Sequence, residues 1–320
     1  MKINVELLKE LERTIDPIHP EEGKIPLQVL GSGEISVVIE IINDSENLVY
    51  KRMPIFKNEK QVKKHEYVVK KYCQILQNRV HINLPEHDMI WFRDEKGKIA
   101  FYGVQRKLIP ESIGNNIIHQ VSDDEVMTLV LLAMREMKKL WTLNKENKQL
   151  QLGLDSQISN FAVIDYDPNH PKVTENSELI YVDTLTPFIR INGKEAMDLK
   201  LVVSSVPSIL RAPLYYIFGP GVVEGYYDWR TASIDLIANF FKEQRPELIP
   251  RVVQIVNNFF RQEAQDFNIE RISVEEIKKY YKLDKFIWEL LQRLRKMDRF
   301  FKVKLLRKEY PFYIPDKIKR

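Results

Sequence analysis

Near Leu108 the texture of this sequence changes from β-branched runs to helical periodicity, and that break constrains the fold more than any other feature. Before it lie Val37-Val38-Ile39, Ile41-Ile42 and Leu48-Val49-Tyr50, with Asn43-Asp44-Ser45-Glu46-Asn47 as a turn between two of them. Such runs bounded by turn residues predict strands. A second hairpin is predicted from Met89 to Phe92 and Ile99 to Val104, turning through Asp94-Glu95-Lys96-Gly97-Lys98. Helices are predicted at 4–14 and from Asn58 to Gln77, where Val62, Val69, Cys73 and Leu76 share a face. After the break, Ser122 and Glu125 make a capping-box pattern opening a helix to about Leu143. Further helical segments are predicted near 195–204, 229–243, 248–265, 273–282 and 284–300, with a short β-rich interruption at 158–166 and 179–184. A sheet-rich first third followed by a helix-rich remainder predicts an α+β protein with two lobes, 1–105 and 106–320.

Composition narrows the class. No apolar run reaches eighteen residues, so no transmembrane helix is expected. The N-terminal segment carries acidic residues among its apolar ones, unlike a signal peptide, and Cys73 is the single cysteine. A cytoplasmic protein without an intramolecular disulfide is the expectation. The net charge is +4, but Arg293 to Arg320 holds 11 Lys/Arg against 3 Asp/Glu. Such a segment can attract phosphates, nucleic acid or an anionic surface. The simpler expectation is a solvated helix face. Phe286, Ile287, Leu290, Leu291, Leu294 and Met297 recur at helical spacing and would face the core, leaving Arg293, Arg295 and Lys296 in water.

Four signals that bear on chemistry follow one another along the chain. Gly31-Ser32-Gly33-Glu34-Ile35-Ser36 joins two predicted strands; paired glycines let a backbone bend and present N–H groups to phosphate, although a lone Gly-x-Gly is more often a hairpin turn. Lys51 lies late in the next strand, with Glu66 on the following helix as an ion-pair partner and Glu59 as its competitor. Asp155-Ser156-Gln157-Ile158-Ser159-Asn160 has the spacing of a hydroxyl-orienting aspartate and a metal-ligating asparagine; a polar loop with an Asx turn has the same look. Ile180-Tyr181-Val182-Asp183 is an apolar strand ending in a carboxylate suited to Mg²⁺ or to capping the next turn. The aromatic residues at Tyr226-Tyr227 and Phe240-Phe241 are expected in the core, and Asp228 and Asp235 as caps or, second, as contacts for a cation. No histidine metal spacing and no Gly-x-Ser-x-Gly elbow is present.

Taken together, these residues resemble the protein-kinase-like superfamily, and more closely its aminoglycoside- and choline-phosphotransferase-type branch. The resemblance covers roughly residues 27–190. It implies a two-lobed protein-kinase-like fold, with a small antiparallel-sheet N-lobe and a larger helical C-lobe. It further implies that Gly31 and Gly33 cover the nucleotide and that Lys51 and Glu66 form the phosphate-positioning pair. Gln105, Arg106, Lys107 and Leu108 would form the hinge at the adenine, Asp155 the catalytic base, and Asn160 and Asp183 the metal ligands. Ser36 stands where the pattern has a third glycine, Gly153 where it has a histidine, and Thr184-Leu185 follows Asp183. The stretch between Asn160 and Asp183 is long, and Asp165 to Pro171 reads as an extended hairpin loop.

The expected function is an ATP- and Mg²⁺-dependent phosphotransferase acting on a hydroxyl-bearing small molecule. The alternative is a catalytically silent, pseudokinase-like nucleotide-binding or interaction module, which the departures at Gly153 and Thr184-Leu185 support. No membrane partner is expected, and nucleic acid is not expected despite the basic C-terminal segment.

Overall fold

Branching at Cβ stiffens a residue toward extended backbone, and strands form where such residues cluster. In the computed structural model, which describes residues 1–207, 211, 221 and 223–315, five antiparallel strands make the first sheet. They are β1 (Leu27–Ser32), β2 (Val37–Ile41), β3 (Leu48–Arg52), β4 (His87–Arg93) and β5 (Ile99–Arg106), in the order β1-β2-β3-β5-β4. Alternation along β3 sends Leu48, Tyr50 and Arg52 to one face and Val49 and Lys51 to the other. The first face is covered by α1 (Val5–Thr14), whose Leu8 and Leu11 bury against Ile39, Tyr50 and Tyr102.

The opposite face meets α2 (Glu59–Ile75), opened by the Asn58 side chain accepting from the Gln61 N–H. One buried cluster runs from Met53 and Phe101 through Val69 and Tyr72 of α2 to Val130 and Met134. The two lobes therefore share a core. Between them the chain crosses at residues 107–109, after β5 and before a 3₁₀ turn at Pro110–Ser112. A short α3 (Gly114–Ile117) precedes α4 (Asp123–Glu146), where Ser122 and Glu125 cap each other reciprocally. β6 (Leu150–Leu152) pairs with β9 (Ile189–Ile191), which pairs with β10 (Lys194–Glu195). β7 (Phe161–Val163) and β8 (Leu179–Tyr181) form a separate hairpin, as the extended-loop reading requires. The remaining long helices are α5 (Trp229–Lys242), α6 (Ile249–Glu263) and α7 (Val274–Phe300). A small antiparallel-sheet lobe against a larger helical lobe is the two-lobed α+β arrangement expected from the sequence. Among the described residues no helix is long and apolar enough to cross a membrane.

Three expectations need correction. The segment near 195–204 is a β10 end and a 3₁₀ turn at Leu199–Ser205. The helices at 273–282 and 284–300 are one uninterrupted α7, because Asp284 and Lys285 are tolerated mid-helix when they lie off the packed stripe. The facing of that helix also differs: Trp288, Arg295 and Asp298 are buried, whereas Phe286 and Met297 stand 59% and 54% exposed. Arg295 is accommodated inside because its guanidinium donates to the Tyr313 carbonyl at 2.7 Å. Tyr313 belongs to a C-terminal strap that returns to the sheet lobe, where Arg52 donates to the Pro311 carbonyl at 2.9 Å. The last five residues of the basic segment, 316–320, lie outside the described residues.

Candidate active site

Lys51 leaves β3 on the face turned toward the helical lobe, between Val38 of β2 and Gly103 of β5. Its ammonium donates to Asp183 Oδ1 at 2.7 Å, with the two side chains 22% and 18% exposed. Asp183 is delivered by the β7–β8 hairpin. Phe161 pairs with Tyr181, and the Val182 N–H donates to the Asn160 carbonyl at 2.9 Å. That register closes the long gap in sequence and brings Asn160 and Asp183 to the same end of the hairpin. The Asn160 amide nitrogen donates to the Asp155 carbonyl at 3.1 Å, so its oxygen is turned elsewhere and accepts from no described residue.

Asp155 begins the loop that precedes this hairpin. The Gln157 N–H donates to Asp155 Oδ1 at 3.3 Å, the Asx turn considered from sequence, and the Tyr181 hydroxyl holds the Asp155 carbonyl at 3.2 Å. The loop is fixed on α5: the Ser156 hydroxyl donates to the Ala232 carbonyl, and Lys242 Nζ donates to Gln157 Oε1 at 2.7 Å. Burial, then the like charges of Asp235 and Asp183, push the Asp155 carboxyl up to about 7. Asp235 was expected as a cap or a cation contact. It sits instead beside Asp155, accepting the Tyr280 hydroxyl at 3.0 Å, and Asp228 is the cap, accepting from the Thr231 N–H at 2.7 Å. Phe240 is core, as expected, and so is Trp229, whereas Tyr226, Tyr227 and Phe241 are only partly buried. Tyr226 stacks on Phe188 with ring centroids 4.0 Å apart. Burial and the charges of Asp155, Asp235 and Glu34 hold its hydroxyl well above the ordinary range.

One expected contact is absent. Glu66 makes no ion pair with any described residue; Lys51 is on Asp183, and Glu59 pairs with Lys63 and Arg93. The cause is helix phase. His65, Val68, Val69 and Tyr72 form the buried stripe of α2, and Glu66 lies about 100° round from His65. His65 is the residue next to Lys51: burial first, and then that cation, depress its imidazole to about 4. Gly31 and Gly33 do not have the positive φ of a tight glycine turn. The Gly33 N–H closes on the Ser36 carbonyl at 3.0 Å, and a Cβ at Gly31 would meet nothing within 4 Å.

At the crossing, Gln105 and Arg106 belong to β5. The Gln105 amide spans the lobes to the Val182 carbonyl at 2.8 Å, while Arg106 and Lys107 pair outward with Glu86 and Glu40. The Leu108 N–H and the Lys107 carbonyl have no hydrogen-bond partner among the described residues.

Sequence reasoning missed three supports of this site. A Cβ on Gly103 would come within 2.0 Å of Leu185 Cδ1, so the glycine makes the seat into which the residue after Asp183-Thr184 packs. A Cβ on Gly153 would lie 2.7 Å from the Tyr226 carbonyl, leaving no room there for a histidine. The Gly153 carbonyl instead accepts the hydroxyl of Tyr72, a fully buried residue of α2, at 2.8 Å. A lone glycine inside an apolar strand is a signal that can reveal Gly103; nothing local reveals Tyr72.

No curated protein matches the sequence. Among solved structures the chain is similar to WaaP in complex with acyl carrier protein, with a TM-score of 0.32 and 9% identity over 81% of this chain and 92% of that one. It is similar to the GDP complex of wild-type aminoglycoside 2′-phosphotransferase-IIIa, with a TM-score of 0.32 and 12% identity over 77% of this chain and 94% of that one. Residues 10–299 match a family of unknown function, DUF6206, and the chain belongs to that family.

Proposed function

We propose that this protein is an ATP- and Mg²⁺-dependent phosphotransferase acting on a hydroxyl-bearing small molecule. The observation that carries the reading is the meeting of Lys51, Asp155, Asn160 and Asp183 at one end of the β7–β8 hairpin, brought together from β3, the loop after β6 and the residues just before β7 and just after β8. Phosphoryl transfer asks a protein for positioning and charge neutralisation more than for covalent chemistry, and these groups supply both. The Asn160 amide oxygen and the Asp183 carboxylate are the hard oxygen donors that Mg²⁺ takes, usually alongside phosphate oxygens and water. When bound, the ion would neutralise phosphate charge. Lys51 supplies a fixed cation for the phosphates. The Lys107 carbonyl and Leu108 N–H offer an acceptor and a donor, respectively, to a purine edge.

Asp155, with a carboxyl near neutrality, is suited to take the proton from an acceptor hydroxyl. Asp235 and Asp183 act on it as negative charges against the cation Lys242, and Tyr280 is held nearby on Asp235. That negative balance favours an acceptor that carries a cationic group. The silent-module alternative loses one of its arguments at Gly153, where Tyr72 holds the loop from α2 in place of a histidine.

Calorimetric titration with Mg²⁺-ATP tests the reading. The parent is expected to bind, and Lys51→Ala and Asp183→Ala each to weaken binding by about ten- to a hundredfold, the usual worth of a charged hydrogen bond, with the apo fold retained by circular dichroism. Unchanged affinity in both variants would place the phosphates elsewhere.

A further inference from the structure

The last turns of α7 and the turn that follows expose the wrong residues for a solvated helix. Phe286, Met297, Phe300, Phe301, Leu305 and Leu306 are all about half exposed or more, with Leu305 at 62%. Soluble surfaces scatter such residues singly, and a contiguous group of them marks a surface that meets something. On α7, positions 286, 293, 297 and 300 follow one another at helical spacing, so Phe286, Arg293, Met297 and Phe300 form a single stripe about 21 Å long, with Lys304 in the π turn beyond its end. The cations belong to the same surface. Arg293, Lys296, Lys304, Arg307 and Lys308 are exposed around the apolar side chains, and the last four make no ion pair with a described residue.

The corner is a built feature. α7 ends in a π turn in which the Leu306 N–H donates to the Phe301 carbonyl at 3.0 Å, and the chain reverses at Arg307 with φ of 51°. The strap beyond it is tied down. Glu309 pairs with Lys96 and Lys98 of the β4–β5 turn, and Tyr310, Phe312 and Ile314 are buried. The acid nearest the corner is thus neutralised, and the apolar and basic side chains are left projecting.

We propose that this corner docks on the surface of an anionic lipid bilayer, with the apolar side chains entering the headgroup boundary and the cations meeting lipid phosphates and carboxylates. Charge complementarity decides among occupants. A second copy facing the same stripe would bring like charges together, opposing association. Nucleic acid would engage the cations but gains little from Met297, Leu305 and Leu306. A bilayer interface accommodates both kinds of side chain at once, aromatic and aliphatic groups at the boundary and lysine and arginine above them. Among the described residues no helix is long and apolar enough to span it.

Cosedimentation of the full chain with phosphatidylcholine vesicles, with and without about one-third phosphatidylserine, tests this. Binding is expected to the anionic vesicles only and to decline with added salt. Phe300→Ser/Phe301→Ser/Leu305→Ser is expected to abolish it at unchanged charge. Lys304→Gln/Arg307→Gln/Lys308→Gln is expected to weaken it by about fivefold per cation removed. All six side chains are on the surface, so both variants should melt with the parent. Failure to bind anionic vesicles, or binding that survives the apolar variant, would overturn the proposal. So would a concentration-dependent dimer, or tight oligonucleotide binding, lost in the same variants.

Discussion

Asp155 ionises against three influences: burial, the carboxylate of Asp235 and that of Asp183. The native state therefore keeps this proton to about pH 7, whereas an unfolded aspartate loses it near 3.9. Between those values the folded chain binds more protons than the unfolded one, so this group's contribution to stability declines as pH rises through the window. Asp155→Asn is expected to remove that decline. Its melting temperature should exceed the parent's at about pH 8 and approach it at about pH 4; a variant less stable than the parent at the higher pH would show that the carboxylate is not strained. In turnover the sign reverses. A parent using Asp155 as base should gain rate as pH rises to about 7, and the Asn variant should fall by about two to four orders of magnitude with nucleotide affinity kept. At this scale the sequence singled out Lys51 late in a strand and Asp155, Asn160 and Asp183 at element ends, and the structure brings Lys51 onto Asp183 and Asn160 onto the Asp155 carbonyl. The sequence was misleading for the partner of Lys51. A shift of one position along α2 decides whether His65 or Glu66 faces the cleft, and that phase is set by what the helix packs against.

α2 is the element that couples the lobes. Its Tyr72 donates to the Gly153 carbonyl two residues before Asp155, and its His65 packs against Phe56 and Phe101 of the sheet lobe with centroids 5.1 and 5.6 Å away. Tyr72→Phe keeps the ring and removes one buried hydrogen bond, so a stability loss of about 1 kcal/mol is expected in denaturant unfolding. If the bond also positions Asp155, turnover should fall further than nucleotide affinity. Equal small changes in both would make Tyr72 structural only. The β7–β8 hairpin was legible from Asp165-Tyr166-Asp167-Pro168 and its neighbours, a loop too polar for a strand. The facing of α7 was not. That helix carries apolar residues on two stripes, and the strap, through Tyr313 on Arg295, together with Tyr280 on Asp235 and Tyr281 on Phe241 of α5, selects the buried one.

Across the whole molecule, the change of texture near Leu108 foretold a sheet lobe followed by a helical lobe, and the structure adds that they are not independent. The shared core through α2, the Gln105 bridge to Val182 and the strap on Arg52 all cross between them. These contacts join residues far apart in sequence, so no local pattern announces them. They also fix the relation of Lys51 on one lobe to Asp155, Asn160 and Asp183 on the other. The most direct measurement of whether that relation serves phosphoryl transfer is a crystal structure with Mg²⁺ and a non-hydrolysable ATP analogue. The expected result has a metal ion ligated by Asn160 Oδ1 and Asp183, Lys51 on the phosphates, and the purine edge on the backbone of Lys107 and Leu108. Nucleotide bound away from the β7–β8 hairpin, or a metal ion that touches neither Asn160 nor Asp183, would contradict it.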